Sequence, residues 1–182
     1  MSGELAAPFL AASALLVGAG VPKIGDPMPL VRALRSAGLP ARRTLVRGLA
    51  VAEVSLGLWA VARPGALNAA RVCAAYLLFT GFVGLALRRG GVLGSCGCFG
   101  KADTPPTRVH LVVTAAIAAL AGAVVITPER AAWATGLSAA VVGTLALAAL
   151  LTFLAWQALA VLPTVTPAAV RSTGDVLNSR AR

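Results

Sequence analysis

The sequence predicts an all-α fold, a polytopic membrane helix bundle, and three observations carry that prediction. Hydrophobic residues make up 58% of the 182 and charged residues only 12%, against about 25% charged in a soluble domain. Mean hydropathy is +0.86. The apolar residues gather into five runs, each near the roughly 20 residues that an α-helix needs to cross a bilayer. In hydrocarbon a backbone must satisfy its own hydrogen bonds, which helices do.

The first run is Leu5 to Val21. Glu4 and no Lys or Arg precedes it, so it lacks the positive flank of a cleaved signal and reads as a retained helix. Pro8 stands near its start, where proline is tolerated. Residues Pro22 to Arg43 are too charged to span. Within them Met28, Val31 and Leu34 recur every third residue, with Arg32 and Arg35 between, which predicts a short amphipathic helix at the interface. The second run is Leu45 to Ala62, ended by Pro64 and Gly65. The third is Ala69 to Leu87, closed by Arg88 to Gly91. The fourth, Val109 to Ile126, is opened by "TPPTR" and stops before Pro128. The fifth, Leu137 to Leu162, is stopped by Pro163. The expected organisation is a four-helix core over residues 1–127, an additional spanning helix over 128–163 and a flexible polar tail over 164–182.

The net charge is +10. The basic residues lie in short segments between apolar runs, with no recognition module and no basic stretch interleaved with aromatics, so nucleic acid is not expected as a partner. The lipid bilayer is. Five spans with the N-terminus outside put thirteen Lys and Arg inside, from Lys23, Arg32 and Arg35 to Arg180 and Arg182. Only Arg63, Arg71 and Arg130 remain outside. That asymmetry favours N-out, C-in in a plasma (inner) membrane, with residues 91–106 on the cytoplasmic face.

Residues 91–106, "GVLGSCGCFGKADTPP", are the most unusual stretch. Three cysteines, Cys73, Cys96 and Cys98, are too few for a disulfide scaffold. Cys96 and Cys98 flank one glycine, and Arg88, Arg89, Lys101 and Arg108 lie close in sequence, where positive charge favours the reactive thiolate. A Cys-X-Cys disulfide closes a small ring, and strained disulfides are the labile, redox-active kind. Gly94, Gly97 and Gly100 permit such a turn. His110, the one histidine, opens the fourth run; it serves as proton donor or acceptor in thiol exchange, or simply as a polar cap. Cys96, Cys98 and His110 also make three ligands, short of the four of structural zinc but open to Cu(I) or Zn(II) handling. Cys73 stands about 20 Å away along its helix and reads as a small core residue or an electron relay. A third alternative is a non-catalytic subunit of a membrane complex, favoured by small-residue stretches such as Ala115 to Gly122.

Glu53 lies in mid-span, where an ionisable side chain marks function by default. Arg47, six residues away, faces another side of the helix. Lys23 or Arg71 is the expected partner. Glu53 serves either a packing hydrogen bond or a proton or quinone site.

Residues 15 to 62, "GAGVPKIGDPMPLVRALRSAGLP" followed by "GLAVAEVSLGLWAV", resemble the DoxX-like family of small membrane proteins. The third span followed by "SCGCFG" is similar to the MauE branch, the methylamine-utilisation proteins, and the likeness covers about residues 5 to 127. The resemblance implies a four-helix membrane bundle that passes thiol or disulfide equivalents, often with a thioredoxin-like partner. It makes Cys96 and Cys98 the redox pair and matches Lys23 and Glu53 to family positions, with a quinone as the candidate electron acceptor. "TRVH" at 107–110 departs from an Arg-Asn pair expected there. The link of MauE to a disulfide-rich periplasmic enzyme favours the opposite face from the charge count.

Overall fold

In the computed structural model, which describes residues 4–88, 107–127 and 138–161, six α-helices follow one another and no strand occurs among those residues. They are α1 (Ala6–Gly25), α2 (Met28–Ser36), α3 (Arg43–Ala62), α4 (Ala66–Arg88), α5 (Arg108–Ile126) and α6 (Ala139–Trp156), the last continued by a π-helical turn, Gln157–Val161. Five are long and apolar enough to cross a membrane. Their outward residues are apolar too: Leu58, Leu78, Val112, Ile126 and Phe153 are all more than half exposed. A bilayer accounts for such a surface, water does not.

α1 runs on through Pro22 to Gly25, beyond the Val21 at which the sequence reading ended it. Proline removes one helical hydrogen bond. Here the helix closes one turn later, where the Asp26 N–H donates to the Pro22 carbonyl at 2.9 Å. Asp26 then turns the chain: its Oδ1 accepts from the Met28 N–H at 3.0 Å and starts α2.

α2 is amphipathic, but its inward face differs from the predicted one. Leu30, Val31 and Ala33 are buried, whereas Met28 and Leu34 are half-buried. Leu30, Val31 and Leu34 pack on Ala41 and Val46. Ala37, just past the helix, meets Ala86 and Phe82 of α4. The end is a Schellman motif: the Leu39 N–H donates to the Leu34 carbonyl and the Gly38 N–H to the Arg35 carbonyl, each at 2.9 Å. It needs a left-handed residue, and Gly38 supplies φ 68°.

α1 is the central helix. Its partner α3 buries one stripe, Val46, Ala50, Glu53, Gly57 and Ala60, at the alternating spacings of three and four that keep one helical face. Glycines bring the two backbones together. A Cβ on Gly57 would stand 2.6 Å from the Ser13 carbonyl oxygen, and one on Gly20 would stand 2.8 Å from the Ala50 oxygen. This is small-residue packing of membrane helices. α4 and α5 form a second antiparallel pair. α6 lies along α1, with Ala148 against Ala7 and Leu10 and the Trp156 ring beside Gly18. The alternation of directions gathers the C-terminal ends of α1, α4 and α6 and the N-terminal ends of α3 and α5 at one end of the bundle.

Candidate functional site

The site is built from that end. A Cα–Cβ bond leans toward its helix's N-terminus. Lys23, near the end of α1, therefore throws its side chain into the bundle, and Glu53, in the middle of antiparallel α3, leans out to meet it. Lys23 Nζ donates to Glu53 Oε2 at 2.7 Å, with the side chains 2% and 3% exposed. Of the two cations named as partners for Glu53, Lys23 forms the pair; Arg71 donates instead to Asn68 Oδ1 at 3.1 Å. Lys23 thus leaves the set of inside loop charges, because it is a buried residue of a span. The remaining asymmetry is twelve against three.

Three more groups complete the polar interior. The Lys23 ammonium stands 5.3 Å from the Phe79 ring centroid, near enough for a cation–π contact. Tyr76 meets Phe79 edge to face at 5.7 Å, and its hydroxyl donates to the Ala12 carbonyl at 2.8 Å. Across α4 and α5 the Thr80 and Thr114 hydroxyl oxygens lie 3.0 Å apart. Thr114 donates its one hydrogen to the His110 carbonyl, and the single Thr80 hydrogen lies within reach of both the Tyr76 carbonyl and Thr114 Oγ1.

His110 is buried within the bundle. Thr107 caps α5 by accepting the His110 N–H at 3.3 Å, and the ring then folds inward with the residue 1% exposed. Nδ1 lies 2.9 Å from Thr107 Oγ1. Nε2 is buried with no partner among the described residues, as is Glu53 Oε1. Between α1, α4, α5 and the π-turn lies a cavity of about 30 Å³, lined by Lys23, Tyr76, Phe79, His110, Thr114 and Leu159, among others. A water fits in 10–15 Å³ measured this way.

Cys96 and Cys98 lie outside the described residues, as do Lys101 and Arg89. Their segment leaves α4 at Arg88 and returns at Thr107, three residues before His110. Cys73 is half-buried on α4, beside Gly122 of α5, at the other end of the bundle. Among the described residues no three His, Cys, Asp or Glu side chains group to hold a metal. Sequence reasoning missed Tyr76, Thr80 and Thr114. Their signal was available, since 76 and 80, and 110 and 114, are polar residues four apart inside apolar runs.

Residues 3–127 match the family model described as methylamine utilisation protein MauE. The chain belongs to the MauE family. No curated protein and no solved structure matches it. The MauE match takes in α1 to α5, with the Lys23–Glu53 pair, the cysteine segment and His110, while α6 and its π-turn lie beyond it. This MauE-family chain is a multi-pass membrane protein.

Proposed function

We propose that this membrane protein exchanges thiol and disulfide equivalents through Cys96 and Cys98 with a soluble thioredoxin-like partner. Two thiols give up two protons and two electrons as they form a disulfide, and the partner's disulfide takes them to become a dithiol. The observation that carries the reading is His110. It stands three residues from the end of the cysteine segment, capped by Thr107 and buried with one ring nitrogen unused. A histidine so placed is a proton donor or acceptor for thiol chemistry. Membership of the MauE family and the basic residues flanking the segment support the same reading. By the charge asymmetry the segment faces the cytoplasm from the plasma membrane, N-out and C-in.

The test is labelling of Cys96 and Cys98 in native membranes with a membrane-impermeant maleimide, applied from each side, before and after reduction. Labelling that rises after reduction and is lost in the Cys96→Ser, Cys98→Ser variant is expected. Cysteines that stay equally labelled in oxidised and reduced membranes would sink the proposal. Labelling from the outer face alone would reverse the orientation.

A further inference from the structure

We propose that the cavity between Lys23 and His110 is a binding site for one water, and that this water fixes His110 as the neutral Nδ1–H tautomer. A lysine ammonium has three N–H donors and accepts nothing. One goes to Glu53 Oε2 and one faces the Phe79 ring, 5.3 Å away. The third is left over. His110 Nε2 is likewise left over, in a side chain that is almost wholly buried and lines the same cavity. The cavity's 30 Å³ is room enough for a water.

The direction of each bond then follows. Lys23 can only donate, so the water oxygen accepts from it. The water keeps both its hydrogens, and in the arrangement proposed it gives one to His110 Nε2 as the acceptor. A neutral imidazole that accepts at one nitrogen carries its proton on the other. That proton, on Nδ1, points at Thr107 Oγ1, 2.9 Å away. Thr107 Oγ1 has two lone pairs, one for the His110 backbone N–H and one for Nδ1–H. The chain runs Glu53, Lys23, water, His110, Thr107. It links a mid-span carboxylate to the first turn of α5.

The other groups facing His110 agree. From α1 the group is Lys23, whose charge is paired with Glu53. From α4 it is Tyr76, whose hydrogen is given to Ala12. The π-turn offers Leu159, which is apolar. In the arrangement proposed the His110 Nδ1–H points at Thr107, the residue to which the cysteine segment returns. That His110 uses this N–H in thiol exchange rests on the function proposed above; the water site does not.

The chain has one histidine, so ¹⁵N-histidine labelling of the full chain in lipid nanodiscs reports His110 alone. The expected spectrum at neutral pH shows a protonated Nδ1, a bare Nε2 and a cross-peak from Nε2 to water. An imidazolium, an Nε2–H tautomer, or a bare Nε2 without the water cross-peak overturns the inference. Replacing Lys23 and Glu53 together by Met removes the donor without stranding a charge, and should bring up the Nε2–H tautomer. An unchanged spectrum in that variant also overturns it. Ala19→Val fills the cavity from α1 and should abolish the cross-peak while the pair is kept. The Cys96→Ser, Cys98→Ser variant should keep the full spectrum. If it does, and the unaltered cysteines prove redox-inert, the thiol reading fails and the water site stands.

Discussion

The two halves of the bundle interior are made of different matter. Toward the end where α1 begins, Phe9, Leu16, Ala60, Val72, Ala121 and Val124 form an apolar core. Toward the end where α1 finishes, the same helices enclose Lys23, Glu53, His110 and Thr114, all buried. Nothing about spanning a membrane demands the charges of the second half, since the first shows that these helices pack around a mainly apolar core. Buried ion pairs are weak evidence of stability, because desolvation offsets their attraction. The contrast therefore separates a half that holds the helices together from a half kept for chemistry or for specifying one arrangement.

The largest expected effect lies in the polar half. Lys23→Met leaves the Glu53 carboxylate buried without its partner, and should destabilise the bundle by about 3–5 kcal/mol. The Lys23→Met, Glu53→Met variant should recover most of that loss. Reversible unfolding in mixed detergent, with all three chains compared, measures both. If the single and double variants lose equal stability, the pair is structural scaffolding and the contrast between the halves collapses.

Next comes the apolar contact between α1 and α3. A Cβ at Gly57 would meet the Ser13 oxygen at 2.6 Å and Val17 Cγ2 at 2.7 Å. Both backbones would have to part, so Gly57→Ala should cost about 1–3 kcal/mol. Gly48, on the same helix, has nothing within 4 Å of that position. Gly48→Ala should instead stabilise the helix by about 0.5–1 kcal/mol. Opposite signs in the same unfolding assay are the expected outcome.

Tyr76 sits where the two halves meet, its ring in the apolar cluster and its hydroxyl on Ala12. Tyr76→Phe should keep the ring packing and lose about 1 kcal/mol with the hydrogen bond. A loss near zero would mean that the apolar half extends past α4's midpoint.

How much of this was legible in the sequence follows the same division. The spans, and with them the apolar half, were written in run length and in breakers such as Pro64 and Gly65, because hydropathy is a local property. Glu53 was legible as a charge out of place. Its partner was only narrowed to two, because the pair joins residues 30 apart, and spacing along one helix says nothing about a contact across two. Pro22 hid the rest. Taken as the end of α1, it made Lys23 a loop charge, when the helix continues and turns the ammonium inward. Tyr76, Thr80 and Thr114 were lost among apolar neighbours, since average hydropathy conceals a polar residue whose hydrogen bond is satisfied across the bundle. The inward face of α2 was read a step out of register, because spacing within a nine-residue helix does not say which side meets α3.

The smallest expected effect is the one that bears most directly on what the polar half is for. Thr80 and Thr114 join α4 to α5 with their hydroxyls 3.0 Å apart, immediately below His110; Thr114 donates to its own helix, and the Thr80 hydrogen is shared between its own helix and Thr114. Hydrogen bonds between membrane helices are worth about 0.6 kcal/mol on average. Thr80→Val and Thr114→Val, taken singly and together, should therefore show a coupling of about that size by double-mutant cycle. Such a coupling is too small to hold α4 against α5, whose interface also contains Val72, Ala118 and Ala121. Yet Thr114 lines the cavity, and its hydroxyl is tied to the His110 carbonyl at 2.7 Å. The Thr114→Val variant should consequently disturb the His110 imidazole spectrum while Thr80→Val, which does not line the cavity, leaves it in place. A stability coupling of several kcal/mol with an unmoved imidazole would return these threonines to the scaffold, and with them the claim that the polar half is kept for something other than holding the helices together.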